Sequence, residues 1–265
     1  MMNIVKKKNP LILLSNDDGV NAKGLHTLID IIKPFGDIVV VAPEKGQSGQ
    51  SHAITIDLPI RVTKVLENDN VLIYSCTGTP VDSVKLAINQ ILPRKPDFLI
   101  SGINHGSNAS ISVIYSGTMA AAIEGCLNGI PSIGFSVLDH SDNADFSLVK
   151  AYAGSILKNV MENDLLAGTC LNVNFPVIPI DKLKGIRICR QTRGVWKQEY
   201  ERRIDPHNDE YFWLTGDFHN FESDAKDTDE WALANKYIAI VPIQVDLTSY
   251  EGIKKIRDWN YESNI

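Results

Sequence analysis

The chain has 265 residues, 44% of them apolar and 22% charged, which is the composition of a folded globular protein with one substantial core. Its net charge of −6 argues against a dedicated nucleic-acid-binding protein, because such proteins neutralise phosphates with an excess of Lys and Arg. No apolar run is long enough to cross a bilayer and the N-terminus has no signal-peptide pattern, so we expect a cytoplasmic protein without membrane partners.

The first predicted element is a strand at residues 11–14, where four apolar residues in a row are typical of a strand buried on both faces. This strand runs directly into Asn16, Asp17, Asp18 and Gly19. Two adjacent carboxylates at the end of a buried strand repel each other, and a divalent cation would neutralise that repulsion. The alternative is an Asx turn that leads into the next helix, and this stretch alone leaves both open.

Residues 24–35 repeat apolar side chains at helical spacing, and a second buried strand follows at residues 37–42. Together they predict a right-handed βαβ unit. The polar segment 44–52, which contains Ser48 and His52, follows the second strand at the edge of the sheet where ligands bind. A flexible surface loop is the alternative for this segment.

Extra strands are predicted at residues 54–65 and 71–75, and a helix then begins with Thr79 as N-cap and Pro80 at its first position. Residues 96–101 form the next buried strand, which leads into a polar loop containing Asn104, His105 and Asn108. A loop histidine can act as a general acid or base, but it more often forms an ordinary hydrogen bond, and the same applies to His52.

Ser116, Gly117 and Thr118 stand at the start of an alanine-rich helix. The free N–H groups and hydroxyls of such a turn suit an anion such as phosphate, whereas simple N-capping by Ser116 or Thr118 is the alternative. A strand at 133–137, a helix at 146–160 and a strand at 170–175 continue the alternation. We therefore predict an α/β, doubly wound, mostly parallel sheet of the Rossmann-like, three-layer kind over residues 1–180.

Beyond residue 176 the predicted strands follow one another without helices, at 185–190, 195–203 and 210–214, and they are rich in Arg, Trp and Tyr. Residues 181–222 are therefore predicted to form a β-hairpin arm that packs against another subunit, with an ordinary edge hairpin as the alternative. The acidic run 221–230 is expected to be a solvated loop before a helix. Residues 223–265 are expected to return a strand and a helix to the core.

The three polar loops follow parallel strands and should emerge at one edge of the sheet, where Asp17, Asp18, Ser48 and Asn104 would meet. All four offer hard oxygen donors, which favour Mg²⁺ or Mn²⁺ over zinc. Such an ion beside a helix N-terminus is typical of a phosphoester site. No GxGxxG, GxxxxGK[ST] or GxSxG pattern offers a competing dinucleotide, P-loop or serine-hydrolase site.

Five ordered motifs, SNDDG, APEKGQSGQSHAIT, CTGTPVDSVKLA, SGINHGSN and YSGTMAAAIEG, resemble the SurE survival-protein family of metal-dependent nucleotidases. The resemblance implies hydrolysis of nucleoside 5′- and 3′-monophosphates, with polyphosphate as a further substrate class, and a homodimer or homotetramer paired through the arm. It implies one divalent ion, Mg²⁺ or Mn²⁺, held by Asp17, Asp18, Ser48 and Asn104, with the two aspartates as catalytic residues. The positions it associates with the phosphate pocket are Asn16, Asn108, Ser116, Gly117 and Thr118.

This chain departs from the family pattern at two places. It carries Lys45-Gly46-Gln47 where the family usually has an Arg, and Ser110 where a third glycine is common. Neither position is a predicted metal ligand, so the departures bear on substrate preference. A non-catalytic nucleotide-sensing module that uses the same cleft is the competing hypothesis. A sugar-nucleotide transferase is less favoured, because its acids usually form Asp-x-Asp.

Overall fold

The structure is a computed structural model that describes residues 9–68, 70–141 and 143–259. The outer ends of the predicted segments 1–180 and 223–265, at residues 1–8 and 260–265, lie outside the described residues. Across the described ranges, none of the helices combines the length and the apolar character that a membrane crossing requires.

Thirteen strands are present in the described chain. They are β1 (Leu11–Ser15), β2 (Asp37–Pro43), β3 (Val62–Glu67), β4 (Val71–Cys76), β5 (Phe98–His105), β6 (Ser132–Val137), β7 (Thr169–Phe175), β8 (Ile186–Ile188), β9 (Gly194–Lys197), β10 (Tyr200–Ile204), β11 (Glu210–Leu214), β12 (Asp217–Asn220) and β13 (Ile238–Gln244). Nine of them form the central sheet, in the order β3-β4-β2-β1-β5-β6-β7-β13-β8.

The six strands from β4 to β7 in this order run parallel, whereas β3 and β13 are antiparallel to their neighbours β4 and β7. Chain order reverses at β1, which pairs with β2 on one side, where Leu13 lies opposite Val39, and with β5 on the other, where Leu13 lies opposite Leu99. In open α/β sheets the crevice at such a reversal binds ligands.

Seven α-helices cover the sheet or flank it: α1 (Lys23–Ile32), α2 (Pro80–Leu86), α3 (Ser112–Tyr115), α4 (Gly117–Leu127), α5 (Ser147–Asn163), α6 (Asp229–Ala234) and α7 (Tyr250–Arg257). Shorter helical turns lie at Lys33–Phe35, Ala87–Ile91 and Ile180–Lys182. Helices α1 and α5 pack on one face of the sheet, and α2 and α4 pack on the other. These three layers confirm the predicted doubly wound α/β fold.

The apolar run of β1 faces both helical layers. Ile12 and Leu14 belong to the core under α1 and α5, whereas Leu11 and Leu13 belong to the core under α2 and α4. Because successive side chains of a strand point to opposite faces, a central strand needs four apolar residues in a row. Each such side chain contributes about 1.5–3 kcal/mol when fully buried.

Helix α2 begins as the sequence predicts. The hydroxyl oxygen of Thr79 accepts from the Asp82 N–H at 3.1 Å, and the Asp82 carboxylate accepts from the Thr79 N–H at 2.9 Å, with Pro80 at the first helical position. This capping box satisfies two otherwise unpaired N–H groups. The predicted N-cap is thereby confirmed.

The strand predicted at residues 54–65 is present only as β3, which begins at Val62, and residues 54–61 form no strand. Backbone groups of residues 53 and 55 form hydrogen bonds with side chains of the α2 cap, in place of the bonds that a neighbouring strand would supply. The Thr79 hydroxyl donates to the Ala53 carbonyl at 2.8 Å, and the Thr55 N–H donates to the Asp82 carboxylate at 3.1 Å. The segment therefore crosses the helix end and does not join a sheet there.

Beyond β7 the chain forms a nested hairpin. Strand β9 pairs with β12 and β10 pairs with β11, both antiparallel, with Trp196 opposite Phe218 in the outer pair. This is the β-hairpin arm of the predicted fold class, and we define the arm as residues 194–220. Strand β8, which falls within the predicted segment 181–222, pairs with β13 in the central sheet.

Candidate active site

The predicted metal ligands lie at or beyond the carboxyl ends of β1, β2 and β5, where chain order reverses, and the predicted phosphate-binding residues Ser116, Gly117 and Thr118 lie at the start of α4. Asp18, Ser48 and His105 line a cavity of about 620 Å³ together with Ala22, Lys23 and His140. The structure thus brings the aspartate pair, the Ser48 loop and the Asn104 loop to one place.

Asn16 makes the turn after β1. Its side-chain oxygen accepts from the Gly19 N–H at 3.2 Å and its nitrogen donates to the Gly19 carbonyl at 3.0 Å. Gly19 has φ +101°, a conformation that favours glycine. An Asx-type turn is therefore present, but Asn16 forms it and neither aspartate is used. The proposed contact of Asn16 with phosphate stays a prediction.

Asp17 is 3% exposed and faces the first turn of α4. Its carboxylate accepts a hydrogen bond from the Thr118 hydroxyl, and the Gly117 and Thr118 N–H groups also stabilise it. Burial raises the pKa of Asp17 above its ordinary value, and these hydrogen bonds only partly offset that effect. A helix N-terminus favours negative charge, so the helix start and the carboxylate suit each other.

Asp18 lies beside it, with a pKa raised to about 6 by burial and then by the charge of Asp17, while His105 lowers it. In the described part of the chain, its Oδ2 is buried without a hydrogen-bond partner. An unpaired buried carboxylate oxygen is costly unless a cation or donor reaches it. The arrangement therefore fits a bound cation.

The Ser48 loop is tied to the other site elements. The Gln47 N–H donates to the Asp17 carbonyl at 2.7 Å, and the Ser51 hydroxyl donates to the Ile114 carbonyl at 2.7 Å. Ser48 itself is exposed at the cavity between these two anchors. The segment 44–52 is thus held against the end of β1 and against α3.

Glu124 of α4 adds a further anchor. It is 4% exposed, and its carboxylate contacts His52 at 3.1 Å, Lys85 at 3.0 Å and Asn128 at 3.0 Å. Burial alone would raise the pKa of Glu124, but the three partners outweigh it and lower the pKa. The structure places His52 in this cluster and not among the residues that line the Asp18 cavity.

Asn104 lies near the end of β5, and not in the loop predicted for it, whereas Asn108 lies in the loop that follows; they are 9% and 4% exposed. The Asn104 side-chain nitrogen donates to the Gly106 carbonyl at 2.8 Å, so the amide oxygen lies on the side away from that carbonyl. The Asn108 side-chain nitrogen donates to the Ser136 hydroxyl at 2.8 Å. Both asparagines are therefore held by the protein itself.

Ser110 has φ +53°, in the left-handed region where glycine is favoured. This backbone conformation explains why a glycine is common at this position in the family that the motifs resemble. Its N–H donates to the Asp229 carboxylate at 2.8 Å and its hydroxyl donates to the Thr192 carbonyl at 2.9 Å. These bonds hold the serine in an unfavourable backbone conformation.

At the start of α4, the Ser116 hydroxyl accepts from the Met119 N–H at 3.0 Å and so caps the helix. Gly117 allows the close approach of Asp17, because an added Cβ would lie 2.7 Å from the Asp17 Cβ. Thr118 is fully buried, and its hydroxyl donates a hydrogen bond to the Asp17 carboxylate. Capping by Ser116 and the contact with Asp17 are thus both present.

His105 is oriented by its neighbours. Its Nδ1 lies 2.9 Å from the Ser141 carbonyl, which can only accept, so Nδ1 carries the proton and Nε2 is the nitrogen available for proton exchange. The ring packs edge-on against Phe146 at 5.4 Å between centroids. A role in acid–base chemistry stays a prediction.

A larger groove of about 750 Å³ begins beside Ser116 and is lined mainly by apolar residues of α4 and β13, such as Ile123 and Ile243. It contains no carboxylate. The converging polar groups are in the smaller cavity, which is therefore the better candidate for chemistry.

The described residues contain no group of three or more His, Cys, Asp and Glu side chains that could hold a metal. The predicted ligand set has only two carboxylates, joined by hydroxyl and amide oxygens. Oxygen donors of this kind suit Mg²⁺ or Mn²⁺, which keep several water ligands.

Sequence reasoning missed several residues that support the site: Glu124, Ser136, His140, Asn172 and Asn174. The asparagines carried a signal, because two polar residues at alternate positions of a buried strand need a specific partner. Two partners of Glu124, His52 and Lys85, lie 72 and 39 residues away in the chain, and no local pattern indicates them.

Three comparisons with known proteins agree. A family profile described as "Survival protein SurE" matches residues 12–198. The chain is 52% identical to the 5′-nucleotidase SurE of Phocaeicola vulgatus, over 97% of this chain and all of that protein, and 50% identical to the 5′-nucleotidase SurE of Flavobacterium johnsoniae, over 96% and 98%.

The crystal structure of the SurE protein from Aquifex aeolicus superposes with a TM-score of 0.81 at 35% identity, and the match covers 94% of this chain and 99% of that one. The likeness thus extends from the motifs around the cavity to the whole fold. The chain belongs to the survival protein SurE family.

Proposed function

We propose that this chain is a metal-dependent phosphomonoesterase that hydrolyses nucleoside 5′-monophosphates, and also 3′-monophosphates, to nucleoside and phosphate. The names of its full-length relatives support the 5′-nucleotidase activity. The observation that carries the proposal is the adjacent pair of Asp17, buried against the N-terminus of α4, and Asp18, which lines the cavity and in the described structure has one buried carboxylate oxygen without a partner.

Asp17, Asp18, Ser48 and Asn104 would hold one Mg²⁺ or Mn²⁺ ion. Such an ion supplies charge neutralisation for a phosphoryl group and acidifies a water molecule. Burial raises the pKa of both aspartates, and a bound cation would favour the ionised form that burial disfavours.

The other proposed residues act on the phosphoryl group and the proton. Asn16, Asn108, Ser116, Gly117 and Thr118 are proposed to bind and orient the phosphoryl oxygens, at the electropositive start of α4. His105, oriented through Nδ1, is proposed as the general acid, which in its protonated form would donate the Nε2 proton to the leaving oxygen. Water is the proposed nucleophile, and trapping a phosphorylated Asp17 would instead establish a covalent route.

Release of inorganic phosphate from a panel of nucleoside monophosphates tests the proposal, with Mg²⁺ or Mn²⁺ and with a chelator. We expect metal-dependent release by the wild type and none by Asp17→Asn. A nucleotide-sensing module would bind the nucleotides without releasing phosphate, and that result would refute the enzymatic proposal.

We also propose that the chain acts in the cytoplasm as a homodimer or homotetramer, and that the arm pairs the subunits. Large side chains of the arm are exposed, including Tyr200 at 69%, Trp213 at 57% and Leu214 at 69%, and such residues favour interfaces. The Phe221 N–H donates to the Arg193 carbonyl at 2.9 Å, so a short Gly-Ser linker can replace residues 194–220. Light scattering should then give a mass that corresponds to fewer subunits than in the wild type, and an unchanged number of subunits would contradict the role of the arm.

A further inference from the structure

Two asparagines of β7 hold the backbone of Asn108. The Asn108 N–H donates to the Asn174 side-chain oxygen at 2.9 Å, and the Asn108 carbonyl accepts from the Asn172 side-chain nitrogen at 2.7 Å. The Asn174 nitrogen in turn donates to the Asn172 oxygen at 2.8 Å. The three residues therefore form a closed ring of hydrogen bonds, which we call the asparagine ring.

The backbone atoms fix the orientation of both amides. A peptide N–H can only donate and a peptide carbonyl can only accept, so Asn174 must present its oxygen and Asn172 its nitrogen. The remaining nitrogen of Asn174 is then a donor and the remaining oxygen of Asn172 an acceptor, so the two amides can bond to each other in these same orientations. The ring is thus determined by the chemistry of its members.

The free-energy cost of burying two amide side chains indicates that the asparagine ring has a positioning role. Asn172 is 1% exposed and Asn174 is fully buried, on a strand whose intervening residue, Val173, belongs to the apolar core on the opposite face. Buried amides are expensive unless every group is paired, and apolar residues would fill this space at lower cost. What the ring adds is a fixed backbone at Asn108.

The consequence reaches the site through the side chain of Asn108. With its backbone held at both polar atoms, and its side-chain nitrogen on Ser136 at 2.8 Å, Asn108 has little freedom to change conformation. We propose that Asn172 and Asn174 are positioning residues that set Asn108 for the phosphate pocket. This inference rests on the proposed function, in which Asn108 binds phosphate.

The test compares Asn172→Ala and Asn174→Ala with Val173→Ala, which disturbs the same strand but only its opposite face. The probe is inorganic phosphate in the presence of Mg²⁺, and its dissociation constant is measured by calorimetry beside KM and kcat for a nucleoside monophosphate. We expect both asparagine variants to weaken phosphate binding and to raise KM by about tenfold or more. Val173→Ala should stay within about twofold of the wild type.

A purely structural role predicts a different pattern. Loss of folded protein lowers kcat and the number of binding sites, but it leaves the dissociation constant of the folded fraction unchanged. An unchanged dissociation constant in the asparagine variants, or an equal change in Val173→Ala, would overturn the inference. If the wild type binds phosphate but releases none from nucleotides, the proposed function fails while the phosphate measurement still decides the role of the ring.

A measurement on the wild type covers the case in which both variants fail to fold. Amide hydrogen exchange should show the Asn108 N–H strongly protected although it lies in a loop, because its acceptor is fully buried. Exchange at the rate of an exposed loop amide would rule out a held backbone and with it the proposal.

Discussion

Replacing Gly117 by alanine should disable the site while leaving the fold in place. The added Cβ would lie 2.7 Å from the Asp17 Cβ and 3.0 Å from its Oδ2, whereas carbon atoms in contact are about 3.5–4.0 Å apart. Asp17 or the start of α4 must therefore move by about 1 Å. A displacement of that size at a reacting centre costs about 100-fold in rate, or about 2.7 kcal/mol of transition-state stabilisation.

The assay is kcat/KM for release of inorganic phosphate from a nucleoside monophosphate, with a thermal melt of each protein. Gly154→Ala is the matched control, because Gly154 lies within α5, where an added Cβ would meet the movable ring of Phe35 at 3.3 Å and the Ile31 side chain at 3.9 Å, and, outside α5, no backbone atom of the described chain closer. That variant should keep its activity and gain about 0.5–1 kcal/mol of stability. If Gly117→Ala folds and keeps its activity within about threefold, the close approach of Asp17 to the helix has no catalytic importance.

Three further predictions concern single groups. Asp17→Asn should lose all metal-dependent phosphate release with an unchanged far-UV circular dichroism spectrum, and residual activity would contradict its assignment. Thr79→Ala should lower the free energy of unfolding in urea by about 1–2 kcal/mol, because the cap of α2 and the bond to the Ala53 carbonyl are both lost; an unchanged midpoint would refute this. Burial, and then the charge of Asp229, raises the pKa of Glu230 to about 7 from 4.5, so the folded protein keeps this proton to higher pH than the unfolded chain and loses stability as the pH rises between these values. Glu230→Gln should remove that decline and be more stable than the wild type at pH 8 by about 1–2 kcal/mol, allowing for partial exposure, and parallel stability–pH curves would contradict it.

The features that sequence predicts are those with local causes. Four apolar residues in β1 indicate burial on both faces because the period of a strand is two, and Thr79 followed by Pro80 predicts a helix start because these residue types favour the N-cap and the first helical position. The approach of Asp18, Ser48 and His105 to one cavity follows from the parallel order of the strands.

The features that sequence does not predict depend on contacts between distant residues. The acidic run 221–230 is expected to be solvated, yet Asp229 is 1% exposed, because it accepts hydrogen bonds from Ser110, 119 residues earlier, and from Thr192. The composition of a segment indicates its charge, but it does not indicate which hydrogen-bond donors from distant parts of the chain will pack against that charge. The partners of Glu124 and of Asn108 are hidden for the same reason.

The anchors of segment 44–52 bear on how a ligand is captured. Hydrogen bonds from Gln47, Ser51 and His52 hold this segment against the end of β1 and against α3 and α4. The conformational entropy of the segment is therefore lost when the chain folds, and arrival of a ligand need not restrict it further. A preorganised rim of this kind raises affinity without adding a single contact.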